Sequence, residues 1–204
     1  IAALTLLGSA TCYLLVRDHP AGAAAATAPS PKIGAVLQGM VQVLGNRHTW
    51  PPFLAFFFFY AAMGNLMLWV VPFLRDIYAL ATTKAETYAS AVSFALLFAA
   101  PLTGYLSDRV LHRRKLPYTV LSFCLFLFWT ALALTAGTLP LWGVALILFG
   151  MGMVGGAFVL TWPIGREVNP PHLAGTAVAV ANMGGFLGAA LTQKYVGRVL
   201  DAGW

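Results

Sequence analysis

Two short stretches bring opposite charges within reach of one another: Asp108-Arg109 with Arg113-Arg114-Lys115 behind it, and Arg166-Glu167. Carboxylates and guanidinium groups at such spacing form charge-assisted hydrogen bonds, and pairs exposed to water are individually worth only about 0 to 1 kcal/mol. A network of them can therefore form and break during a working cycle, and Glu167 with Arg109 and Arg113 is the expected one. A second set is neutral. Tyr60, Asn65 and Trp69 fall in one apolar run and Asn182 in another, where such side chains hydrogen-bond either a bound solute or a neighbouring helix. Other chemistry is poorly supplied. His19, His48, His112 and His172 stand apart, with no His or Cys ligand spacing for a metal, no G-x-S-x-G elbow and no phosphate-cradling glycine loop. The reading is not an enzyme, with no cofactor and no metal. Cys12 and Cys124 lie in apolar runs, so two free thiols are expected.

The elements that must position these residues are membrane spans. Charged residues make up 9% of the 204 and apolar ones 60%, and mean hydropathy is +0.80. Ordinary globular chains are about a quarter charged. The net charge of +6 comes from basic residues scattered singly or gathered in one loop, which excludes a nucleic-acid-binding face. Residues 87 to 107 and 116 to 165 carry no Asp, Glu, Lys or Arg, so the charged stretch at 104 to 115 is a tight turn between two spans.

In chain order, residues 1 to 16 are expected to be the end of a truncated span, because they are shorter than the roughly 20 residues that cross a bilayer. Residues 17 to 47 form a linker: a Pro- and Ala-rich part, then Ile33, Val36, Leu37, Met40, Val41 and Leu44 on one stripe of a short helix. That helix lies on the membrane surface or packs against the bundle. Residues 48 to 204 hold five complete spans. The first, His48 to Leu74, opens on Pro51-Pro52; the second runs to Leu106 with Pro101 near its end. Gly137-Thr138-Leu139-Pro140 divides the third from the fourth, which ends at Arg166-Glu167. The fifth is Leu173 to Gln193. Gly152 and Gly156, Ala181 and Gly185, and Gly184 and Gly188 are each four apart and predict close helix contacts. Residues 121 to 134 are bulky and lack glycine, which suits a lipid-facing helix.

Placing the 104 to 115 turn in the cytoplasm puts eight basic residues inside (Arg17, Lys32, Arg47, Arg109, Arg113, Arg114, Lys115, Arg166) and four outside (Arg75, Lys84, Lys194, Arg198). That agrees with the positive-inside rule. The turn resembles the signature loop of the major facilitator superfamily, G-x-x-x-D-R-x-G-R-R, with Gly104, Asp108, Arg109 and Arg113 on matching positions. Leu111 stands where the family has glycine and His112 where it has the first paired basic residue. If the loop slips by one residue, Arg113 and Arg114 become the pair.

The resemblance implies an all-α membrane bundle similar to the C-terminal six-helix half of a facilitator, from the end of its sixth helix through its eleventh. It also implies secondary active or facilitative transport of a small solute by alternating access, in a bacterial inner (plasma) membrane. The implied partners are the solute, a coupling proton or cation as in a symporter, membrane lipid, and the missing N-terminal half. A cytoplasmic gate of Gly104, Asp108, Arg109, Arg113, Arg114, Arg166 and Glu167 follows from it, as do Tyr60, Asn65, Trp69 and Asn182 as substrate contacts. Its first and fourth complete spans would line the central cavity, flanked by the second and fifth. The alternative classes are a polytopic membrane enzyme or a non-transporting scaffold.

Overall fold

The computed structural model describes residues 2–15 and 33–203. The Pro- and Ala-rich part of the expected linker lies outside the described residues. Helix α1 (Ala2–Leu15) is a unit of its own. The rest is an all-α bundle: α2 (Ile33–Gly45), α3 (Trp50–Tyr78), α4 (Thr82–Tyr105), α5 (Lys115–Leu134), α6 (Leu141–Gly155), α7 (Thr161–Glu167) and α8 (Ala174–Gly203). Five helical stretches are long and apolar enough to cross a membrane: 50–78, 82–111, 115–134, 141–167 and 171–201.

Local chemistry sets the boundaries. Proline occupies the first turn of α3, where a missing N–H costs nothing. Gly137, at φ 77°, makes the turn before α6 in the left-handed region that glycine enters freely. Two helices depart from regular winding. After Tyr105, α4 widens into a π turn over Leu106–Leu111 and closes at His112, whose φ is 50°. The fourth span is broken at mid-length, where Gly156–Leu160 tightens to a 3-10 turn between α6 and α7. The fifth span runs on to Asp201, past its expected end at Gln193, because Lys194 and Arg198 are exposed and need not end a helix.

Helices in lipid gain little by burying apolar surface from one another, so close approach of small residues decides the packing. A methyl group at Gly184 would lie 2.7 Å from the Phe53 carbonyl oxygen, and one at Gly188 would collide with the Phe57 carbonyl. These two positions lock α8 onto α3. Gly152 likewise meets the Val92 carbonyl, and a methyl group at Gly156 would stand 2.6 Å from the Ala99 carbonyl, which locks the fourth span onto α4. Gly150 faces the Phe128 ring of α5. Leu66, Leu74, Val92, Val144, Leu148, Met151 and Leu160 fill the core behind these contacts. On the outer face of α5, Val120, Phe123, Phe126 and Leu127 are exposed, as a lipid-facing helix requires.

Helix α2 packs against the bundle, but not by its expected stripe. Gly39 and Val43 are buried, against Leu173 and against Phe53, Ala177 and Val180, while Ile33, Val36, Leu37, Val41 and Leu44 stay exposed. The reason is steric: Gly39 has no side chain to hold Leu173 away, so this edge seats closer than the bulkier stripe can. A polar knot secures the α2–α3 turn next to it. Asn46 Nδ2 donates to the Val168 carbonyl at 2.7 Å and to Asn169 Oδ1 at 3.0 Å; Thr49 Oγ1 donates to Asn169 Oδ1 at 3.1 Å; and Asn169 Nδ2 donates to the Gly165 carbonyl at 2.9 Å. Thr49 and Asn169 are buried, and each is satisfied.

Candidate functional site

The charged end of the bundle is organised by Arg114, at the entry to α5. Its Nη1 donates to Asp108 Oδ1 at 2.6 Å and its Nε to Glu167 Oε1 at 2.5 Å. One guanidinium thus joins the π turn that follows α4, the start of α5 and the end of α7. Arg114 is a quarter exposed and the two carboxylates about half. Partial burial works against its charge, but hydrogen bonding and attraction from Glu167, then from Asp108, outweigh that and hold its pKa above the ordinary arginine value.

The expected network of Glu167 with Arg109 and Arg113 is therefore not the one formed. Among the described residues Arg109, Arg113 and Arg166 have no ion-pair partner, and Arg113 contributes only its backbone carbonyl, which accepts from Ser107 Oγ at 3.3 Å. The π turn accounts for the change. It accommodates one residue more than an α turn, and the left-handed position falls at His112 instead of Leu111. Arg114, which the slipped register would pair with Arg113, is the basic residue that meets the carboxylates.

Gly104 stands one turn before this cluster, and a methyl group there would meet nothing within 4 Å. Gly104→Ala is expected to leave the isolated bundle as stable as before, or up to about 1 kcal/mol more so, because alanine is the better helix former. A drop of several degrees in the thermal midpoint in detergent would show that the open space is filled by something essential.

The neutral candidates separate onto different faces. Tyr60 lines a cavity of about 790 Å³ with Phe59, Met63, Leu96, Phe158, Phe186 and Gln193. Its walls come from α3, α4, the broken fourth span and α8, so the four spans expected around a central cavity do converge, and α5 takes no part. Asn182 lies beside this region and accepts a long 3.4 Å hydrogen bond from Trp162 Nε1. Asn65 and Trp69 instead line a cavity of about 520 Å³ with Trp129, Asp76 and Asp201. Asn65 Nδ2 donates to Thr192 Oγ1 and to the Ala61 carbonyl, both at 2.8 Å, which fastens α3 to α8. Sequence reasoning passed over Phe158, Phe186 and Gln193. Phe158 follows the Gly155-Gly156 pair, and that pair was the available signal for a break.

The family model described as Major Facilitator Superfamily matches residues 1–193. No curated protein and no solved structure matches the chain.

Proposed function

The chain belongs to the major facilitator superfamily, an integral membrane family that transports small solutes, and from that premise we propose that it works as one half of an alternating-access secondary transporter. The observation that supports this reading best is the double grip of Arg114 on Asp108 and Glu167. It ties two inter-span turns with contacts weak enough to be broken and remade in each cycle. Asp108, Arg114 and Glu167 are the gate in this reading; Gly104, Arg109, Arg113 and Arg166 lie around them and face the complementary six-helix half. Tyr60 and Asn182 belong to the solute wall in this reading, Asn65 fastens α3 to α8, and Trp69 lines the second cavity beside it.

The carboxylates of the described spans, Asp76, Glu86, Asp108, Glu167 and Asp201, all sit near span ends. Ionisable groups within a membrane mark ion routes, so a symporter built on this chain draws its coupling carboxylate from the complementary half. The setting is a bacterial inner membrane. Counterflow of solutes into proteoliposomes carrying the protein as purified from its own membrane tests the proposal. Exchange of a labelled solute that is saturable and slowed by Asp108→Asn supports it. Co-purification without a second membrane half, together with no exchange of any solute, favours the scaffold reading.

A further inference from the structure

We infer that the solute held on this half presents an uncharged aromatic or fused-ring body to the wall formed by Tyr60, Phe158 and Phe186. This rests on the transport reading above and adds the chemical class of the solute.

Position is the first argument. The cavity draws residues 59–68 from α3, Leu96 from α4, Gly155 and Phe158 from the fourth span, and residues 186–193 from α8. The first three sets lie at the middle of their spans, 50–78, 82–111 and 141–167, and the last runs on from the middle of 171–201. The cavity is therefore at mid-depth, where alternating access holds its cargo, and beside a broken helix, as such sites often are. Two other large cavities are less well placed. One, along residues 55–62 and 118–129, opens between α3 and the lipid-facing α5; the other follows 65–77, 129–133 and 196–201, toward the end opposite the charged one.

Chemistry is the second. No Asp, Glu, Lys, Arg or His lines this wall. Tyr60 and Phe186 meet edge to face at 5.5 Å, and Phe158 meets Trp162 the same way at 5.5 Å. Such rings leave faces and edges that take another ring in an offset or T-shaped contact. Met63 and Met67 add soft surface that adapts to shape, while Ala189 and Ala190 add little bulk to the wall. Two polar handles remain: the Tyr60 hydroxyl and the Gln193 side-chain amide, whose Nε2 spends one of its two N–H donors on the Gly64 carbonyl at 3.2 Å. A polyol would leave most of its hydroxyls unpaired here, and an anion would find no cation on this wall. A planar, neutral molecule with one amide or similar group satisfies both handles, and about 790 Å³ is within the usual range for sites of drug-sized ligands.

The test separates solute class from transport. In a background with Cys12 and Cys124 changed to serine, Ala190→Cys places a thiol at an exposed position on the wall. In proteoliposomes carrying the protein as purified, it is expected to react with a water-soluble maleimide. Indole-3-acetamide should slow that reaction at least five-fold, and glucose or glycine should not. Adding Phe186→Ala should reduce the protection to less than two-fold. A thiol inert to the reagent, which would mean a wall sealed by lipid or protein, overturns the inference, and so does protection by glucose or glycine in place of the aromatic amide. Counterflow in the same vesicles reads transport by itself: protection without exchange leaves the ligand class standing and removes the transport reading.

Discussion

Arg114→Ala is expected to lower solute counterflow at least ten-fold while leaving the amount of folded protein nearly unchanged. Each contact that Arg114 makes is half open to water, so each is worth roughly 0.2 to 1 kcal/mol to the fold, and losing both should cost little stability. The functional loss is larger because removal of the cation leaves Asp108 and Glu167 facing one another with nothing between them, and the two turns then repel. Neutralising either carboxylate alone, by Asp108→Asn or Glu167→Gln, removes one attraction and should do less harm. The three effects will not add. In the Arg114→Ala background, neutralising both carboxylates should restore part of the rate, since the repulsion disappears with them. Arg114→Lys should fall between, because an ammonium is a point charge without the fork that reaches two carboxylates at once. Wild-type counterflow in Arg114→Ala would remove Arg114 from the gate; failure of the neutralised triple variant to recover any rate would remove the repulsion argument.

The second large effect belongs to the fold. Gly188→Val is expected to destabilise the bundle by about 3 kcal/mol, the upper part of the range for overpacking, and most of the protein should be lost during membrane extraction. The added methyl groups would meet the Phe57 carbonyl and backbone, and backbone cannot rotate aside as a flexible side chain can. Gly175→Ala on the same helix has nothing within 4 Å and should be neutral. The check is the thermal midpoint in detergent, followed by tryptophan fluorescence. Equal midpoints for the two variants would mean that α3 and α8 are not held by the contact described.

What could be read from the chain alone was set by coarse polarity, and what was misread was set by rotation. The five spans, the turn at Gly137 and the small-residue contacts follow from where charge, proline and glycine fall, and these survive any local change in winding. Tyr60 and Asn65 were grouped because both lie near the middle of one span. Five residues at about 100° each place them about 140° apart on a helix, and they line different cavities. Trp69, four residues beyond Asn65, shares its face. The partner of Glu167 was misassigned for a related reason. A one-residue widening between Leu106 and Leu111 turns Arg114, not Arg113, toward the carboxylates, and no residue type announces a π turn. Asn46, Thr49 and Asn169 were passed over because their partners are more than a hundred positions apart in sequence.

That knot has a mechanical consequence. Glu167 is held by Arg114, and the next two residues, Val168 and Asn169, are held by Asn46 and Thr49. Three successive residues of one short bend therefore carry two separate fastenings, with almost no slack between them. Tension on the chain leading into α3 is delivered to the neighbour of the Glu167 carboxylate, so the lead-in acts as a rein on the latch, and whatever pulls it shifts the ease with which that end of the bundle lets go.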